Sequence, residues 1–213
     1  MFIIAACVLV FFYQAQLPGP LGETFIYKYG AIPSVIFGLA ALPDEVLAVP
    51  SILTLITSMF LHGGWMHLIG NMLYLWVFGN NIEDVMGHVR FLVFYVLCGV
   101  VAALSHALTD TPSQIPMVGA SGAISAVLGA YLLLFPRAHV LVFIPGIGMT
   151  RVAAGIVLGM WFLTQLLSGG MSMGSQGGGV AFFAHIGGFV AGMAFIGLFK
   201  RRHVRFFSPG HSR

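Results

Sequence analysis

The chain has 213 residues, of which 59% are hydrophobic and only 7% are charged, and its mean hydropathy is +0.98. This composition excludes an ordinary soluble domain, because so few polar residues cannot cover an apolar core of this size. The net charge of +3 is small. The basic residues do not alternate with aromatic residues on a polar segment, so no nucleic-acid surface is predicted. We therefore expect the chain to lie in a lipid bilayer.

Apolar runs follow one another along the chain and predict an all-α membrane protein. A helix that crosses a bilayer needs about 20 apolar residues. The opening run, residues 2–13, is short, and we interpret it as a first span whose upstream part is missing, because it lacks the basic start and the cleavage site of a signal peptide. The predicted fold is a single domain, residues 1–213, formed by a bundle of six transmembrane helices. The five later spans are residues 59–78, 91–108, 117–135, 152–167 and 180–199.

The connections and the charges predict the orientation of the bundle. Residues 14–51 contain five prolines among apolar residues, which predicts short helices and turns in the outer interface. With six spans, eight of the nine Lys and Arg residues fall on one side and only Lys28 falls on the other. Basic residues accumulate on the cytoplasmic side, so both termini are expected there, with 200–213 as a basic cytoplasmic tail. No organelle-targeting segment is visible, which favours a prokaryotic plasma membrane.

A few polar side chains lie within the predicted spans. An unpaired polar group in hydrocarbon costs several kcal/mol, so each of them requires a reason. His67 and Asn71 are four residues apart and share one face of the second span. Ser121 lies about one turn into the fourth span, and His185 lies about one and a half turns into the sixth. Each residue alone is explained by helix packing, but their convergence near one surface favours a site.

Small residues on the fourth and sixth spans predict a close contact between them. Stripes of Gly and Ala at intervals of four residues let two helix backbones approach each other. Such an approach is what a hydrogen bond between Ser121 and His185 requires. The stripes are Gly122, Ala126 and Ala130 on the fourth span, and Ala184, Gly188 and Gly192 on the sixth.

Several chemistries of membrane enzymes and transporters do not fit these residues. Zinc hydrolysis needs HExxH or an equivalent ligand cluster, and aspartyl chemistry needs two facing carboxylates. A proton-coupled transporter usually keeps a carboxylate in the middle of a span. No glutamate lies within a predicted span, and the aspartates fall in loops or at span ends. We therefore predict no metal site.

Nucleophilic serine chemistry remains. His185 can remove the proton of the Ser121 hydroxyl if the two side chains meet. The side-chain amide of Asn71, the ring N–H of His67 and the backbone N–H of Ser121 can donate hydrogen bonds to an oxyanion. Because no Asp or Glu is available to orient His185, the predicted unit is a dyad.

Three separated motifs resemble those of the rhomboid intramembrane serine proteases. They are HGGWMHLIGN in the second span, GASG at the serine and AHIGG at the histidine, and GNNIEDVMGHVRFLVFYVLCG between them is also similar to the family. The resemblance covers almost the whole chain. It implies a six-helix fold whose fourth helix starts inside a water-filled cavity. It also implies cleavage of other membrane proteins within or beside their transmembrane segments, without a metal or cofactor.

The resemblance also implies roles for individual residues. Ser121 and His185 would form the catalytic dyad, while Asn71 and His67 would help to hold the oxyanion. Gly119 would shape the loop before the serine. The role of His62, which matches the first histidine of the motif, would be structural.

The chain departs from the family at one position near the serine. Many relatives carry an aromatic residue four positions after the serine, where it stacks on the catalytic histidine, but this chain has Ser125. We expect Phe182, Phe183 or a water molecule to position His185 instead.

Two further segments have a functional and a plain interpretation. The six glycines in residues 169–179 predict a mobile loop, which is either a simple link or a cap over the site, with Met171 and Met173 sealing the cavity. The resemblance favours the cap.

Trp161 and Phe162 on the fifth span are candidates for a lateral gate, or they simply face lipid.

Two classes of protein compete with the protease. Some relatives keep the fold without the dyad and act as binding or trafficking factors for membrane proteins. The presence of both Ser121 and His185 argues against that class. A small-molecule channel or transporter would use the same polar residues to line a path.

Overall fold

The computed structural model describes residues 2–172 and 181–207, and these are mostly helical. The long helices lie where the apolar runs predict them. Short 3₁₀ segments flank α4, and a π-helical turn, Leu75–Gly79, joins α5 to α6. The helices are α1 (Phe2–Gln16), α2 (Gly19–Tyr29), α3 (Pro33–Ile36), α4 (Thr54–Thr57), α5 (Trp65–Tyr74), α6 (Asn80–Met86), α7 (His88–Ala107), α8 (Ser121–Leu134), α9 (Ala154–Ser172) and α10 (Phe182–Phe199).

Within the described residues, three helices are long and apolar enough to cross a membrane: α7, α9 and α10. The segments Ser51–Phe60 and Trp65–Met86 are bent by 83° at a short break, and they count as a fourth crossing if the bent pair is one span. The second predicted span is therefore displaced, since its straight part begins at Trp65 rather than at residue 59. The apolar helices α1 and α8 are shorter. The chain is an integral membrane protein, and the count of six spans stays a prediction.

Helix α8 begins later than its apolar run because the preceding residues bond elsewhere. Met117 and Ala31 exchange two backbone hydrogen bonds of 2.8 and 3.0 Å, and the Gly119 N–H donates to the Ser58 carbonyl at 2.9 Å. Ser121 is therefore the first residue of the helix and not one turn into it. With 14 residues, α8 is about 21 Å long, which is less than the thickness of the hydrocarbon layer.

The prediction of an all-α fold is wrong between α8 and α9. Strands β1 (His139–Ile144) and β2 (Gly148–Ala153) form an antiparallel hairpin there. The first strand, HVLVFI, is rich in β-branched residues, and two turn glycines have the positive φ angles of +84° and +93° that suit glycine. Val152, the predicted start of the fifth span, belongs to β2, and helix α9 starts at Ala154.

The segment between α1 and the bent pair Ser51–Phe60 and Trp65–Met86 contains the predicted short helices and turns. Helix α2 has 11 residues and α3 has four. The Thr57 hydroxyl donates to the Tyr29 carbonyl at 2.6 Å, and the Ser34 N–H donates to the Ser113 carbonyl at 3.0 Å. The first bond fastens the segment to α4, and the second fastens it to the loop that precedes α8.

Helices α8 and α10 touch through their backbones, as the stripes of small residues predict. A Cβ atom added at Gly192 would lie 2.0 Å from the Ala126 carbonyl oxygen, and one at Gly188 would lie 2.1 Å from the Gly122 carbonyl oxygen. Only glycine fits at these two positions. Helix α8 is also the centre of the core, because every residue from 122 to 131 is buried.

Replacing Gly192 with Ala should destabilise the protein. The added methyl group cannot occupy the space of the Ala126 carbonyl, so α8 and α10 must shift, and overpacking of this kind costs about 1–3 kcal/mol. We expect a lower melting temperature in detergent. Gly159→Ala on α9 is the matched control, since nothing lies within 4 Å of its added Cβ. If Gly192→Ala and Gly159→Ala both have the melting temperature of the wild type, the close contact between α8 and α10 at Gly192 does not stabilise the fold.

Candidate active site

The contact between α8 and α10 brings Ser121 and His185 together. Ser121 is the first residue of α8, and His185 lies in the first turn of α10. The Ser121 Oγ lies 2.9 Å from the His185 Nε2, within hydrogen-bond distance. This pair is the arrangement that a nucleophilic hydroxyl and its general base require.

The position of Ser121 at a helix start adds polar character to the site. The first N–H groups of a helix have no intrahelical acceptor, and the helix dipole places partial positive charge there. Ser125, four residues later, donates its hydroxyl to the Ser121 carbonyl at 2.6 Å. Its side chain is therefore engaged with its own helix.

A glutamine that the sequence analysis missed lies against the second ring nitrogen of the histidine. The Gln165 Oε1 is 2.8 Å from the His185 Nδ1. Gln165 lies in the apolar sequence WFLTQLL of α9. A lone amide in a spanning helix marks a polar group that needs a partner, but its position in the sequence does not show which residue it meets.

An aromatic side chain from α9 supports the histidine ring. The ring of Trp161 lies 5.9 Å from the ring of His185, centroid to centroid, with 38° between their planes. Trp161 and Phe162 also pack on Phe189, and the Phe162 ring stacks on it at 4.4 Å. Both residues are half-buried, so they face the bundle rather than only lipid, and their role as a gate stays a prediction.

The expected contribution of Phe183 differs from the observed one. Its ring stacks on His106, with centroids 6.5 Å apart. The ring contact to His185 comes from Trp161 instead. Helix α9 therefore supplies the ring contact to His185 that was expected from Phe182 or Phe183.

A second cluster of the site consists of His67, Asn71 and Gly119. The Asn71 Nδ2 is buried and has no hydrogen-bond partner among the described residues. The Gly63 N–H donates to the His67 Nδ1 at 3.3 Å, so the neutral His67 ring carries its proton on Nε2. A Cβ atom at Gly119, where φ is +126°, would lie 2.8 Å from that Nε2 and 3.7 Å from the Asn71 Nδ2. Two unused donors thus converge beside a position that only glycine can fill.

His62 lies behind this cluster and is fully buried. Its ring lies 5.2 Å from the ring of His67 and 6.3 Å from that of Phe11. Its backbone carbonyl accepts a hydrogen bond of 2.7 Å from the Gln14 Nε2, which ties the break before α5 to α1. These contacts are those of a packing residue.

An open cavity of about 1550 Å³ joins the two clusters. Ser121, His185, His67 and Asn71 all line it, and Trp161 forms part of its wall. The predicted cap over it lies mostly in residues 173–180, outside the described ranges. Met171, in the last turn of α9, is 83% exposed.

Comparison with known proteins gives consistent matches. The family model described as the Rhomboid domain matches residues 50–202. The human presenilin-associated rhomboid-like protein, mitochondrial, is 30% identical over 200 residues, which are 91% of this chain and 46% of the relative. Rhomboid protein 1, mitochondrial, of Saccharomyces cerevisiae is 28% identical over 81% of this chain and 52% of the relative.

A bacterial relative matches as well. Rhomboid protease GluP of Bacillus subtilis is 34% identical over 131 residues, which are 61% of this chain and 25% of the relative. The chain thus spans between a quarter and about half of the length of these relatives.

Proposed function

The chain belongs to the rhomboid family, and on that premise we propose that it is an intramembrane serine endopeptidase. The single observation that carries the proposal is the 2.9 Å contact between the Ser121 Oγ and the His185 Nε2 in an open cavity of a membrane protein. Its substrates are other membrane proteins, cut in or beside a transmembrane segment near the outer surface.

The proposed reaction uses the two side chains in turn. His185 takes the hydroxyl proton on Nε2 while the Ser121 Oγ attacks the carbonyl carbon of the peptide bond, whose π electrons move to the oxygen. The C–N bond then breaks, the imidazolium gives its proton to the departing amine, and an acyl ester remains on Ser121. Water attacks this ester with His185 again as the base. Release of the new carboxyl group restores the serine hydroxyl.

The developing oxyanion needs donors that are already in place. The Asn71 Nδ2, the His67 Nε2–H and the backbone N–H of Ser121 belong to residues that line the same cavity. Gly119 lets the backbone approach the His67 and Asn71 side chains, since a Cβ atom there would lie 2.8 Å from the His67 Nε2. Fixed donors in a partly enclosed site stabilise the transition state more than water does.

The membrane imposes a preference on the substrate. A transmembrane helix hides its peptide bonds in internal hydrogen bonds, so a segment must unwind before Ser121 can reach a carbonyl carbon. Gly or Pro in the substrate lowers that cost.

Both mitochondrial and bacterial relatives match, so the prokaryotic plasma membrane and the cytoplasmic termini stay predictions.

The proposal is tested by cleavage of a single-span substrate with purified protein in detergent. Ser121→Ala removes only the hydroxyl and should abolish cleavage without a change in melting temperature. Ser125→Ala is the matched control, because it removes a hydroxyl that bonds its own helix, and it should cut at a rate close to that of wild type. Cleavage by purified Ser121→Ala would contradict Ser121 as the nucleophile. No cleavage by the wild-type protein would favour a binding factor or transporter.

Removal of the Asn71 amide should slow the reaction strongly. Loss of one oxyanion donor lowers kcat by about 100-fold or more, and we expect that effect for Asn71→Ala in the same assay. Asn80→Ala is the control, since Asn80 lines a different cavity. Equal kcat values for Asn71→Ala and wild type would remove Asn71 from the oxyanion site.

A further inference from the structure

Gln165 contacts the side of His185 that the proposed reaction does not use. Its Oε1 lies 2.8 Å from Nδ1, while the Ser121 Oγ lies 2.9 Å from Nε2 on the opposite edge of the ring. We propose that Gln165 is a positioning residue that fixes the tautomer and orientation of His185, so that three side chains from α8, α9 and α10 act as one unit. The inference deepens the proposed function and rests on it for its catalytic consequence.

Neighbouring groups determine which end of the Gln165 amide faces the histidine. Its Nε2 lies 3.3 Å from the carbonyl oxygen of Trp161 and 3.2 Å from the Thr164 Oγ1. A carbonyl oxygen can only accept a hydrogen bond, so the NH₂ group must point towards Trp161. The amide oxygen therefore faces His185.

This orientation fixes the proton on the imidazole. An amide oxygen only accepts, so the Nδ1 of His185 must carry the hydrogen. In the neutral ring the Nε2 is then unprotonated, and its lone pair faces the Ser121 hydroxyl. The other tautomer would place an N–H against Ser121 and leave the serine without a base. The bond to Gln165 therefore selects the form of His185 that the reaction needs.

The membrane explains why an amide suits this position. A carboxylate near the middle of a spanning helix is costly because it loses its hydration, whereas a glutamine is neutral and its amide is satisfied by Trp161 and Thr164. The amide holds the ring as an acceptor, but it lacks the negative charge that would stabilise the imidazolium. Trp161 thus serves the histidine twice, since its carbonyl anchors the amide and its ring packs on the imidazole.

The test compares Gln165→Met with Gln165→Glu in purified full-length protein. Met has a similar length and no acceptor of comparable strength, whereas Glu keeps an oxygen at the same place. Gln16→Met, at the exposed end of α1, is the matched control for the same chemical change. Gln165→Asn is the second variant if Gln165→Met does not fold, since its shorter amide cannot reach the ring.

Two readouts are measured. The first is the ¹⁵N NMR shifts of the His185 ring in histidine-labelled protein, assigned by their loss in His185→Ala and recorded where the ring is neutral. The second is kcat and KM for a single-span substrate. We expect the wild-type ring to be protonated on Nδ1. In Gln165→Met this preference should be lost, and kcat should fall about 10-fold with KM nearly unchanged. Gln165→Glu should restore the Nδ1–H form.

The ring shifts separate this inference from the proposed function. Unchanged shifts in Gln165→Met, or a wild-type ring protonated on Nε2, would overturn the role of Gln165 even if the protein cleaves substrates. A tautomer that depends on Gln165 in a protein without cleavage would support the positioning role and overturn the protease proposal.

Discussion

The direct backbone contact between α8 and α10 is the constraint on which the site depends. Helices in lipid associate through close packing rather than through a hydrophobic driving force, and here Gly188 and Gly192 remove the side chains that would separate them. Backbones at such a distance leave little freedom in the relative position of the two helix starts. Ser121 and His185 occupy those starts, so the short bond between them follows from the packing of residues deeper in the bundle.

The short length of α8 gives this contact its chemical use. The residues before Ser121 bond to Ala31 and Ser58 instead of extending the helix, so Ser121 is the first residue of α8. A serine at that point has free backbone N–H groups beside it and an open cavity in front of it. Packing alone would bury the pair, whereas a truncated helix keeps it accessible to a peptide bond and to water.

The sequence predicted which side chains lie together in the cavity better than the contacts that support them. Ser121, His185, His67 and Asn71 were found because polar groups are expensive in a span, and the stripes of glycine were found from their spacing. Gln165 was missed because no pattern in the sequence tells which face of α9 meets α10. The β-hairpin was missed because a run such as HVLVFI is compatible with a buried helix and with a strand. The 83° bend before Trp65 depends on long-range contacts such as that between Gln14 and His62.

The central claim is that His185 activates the Ser121 hydroxyl across the interface of α8 and α10. The most direct measurement is the rate at which a fluorophosphonate modifies the protein, with the modified residue located by mass spectrometry. We predict a single adduct on Ser121 and a rate at least about 100-fold lower in His185→Ala, the usual contribution of a general base. An adduct on another residue, or an equal rate in His185→Ala, would contradict the claim.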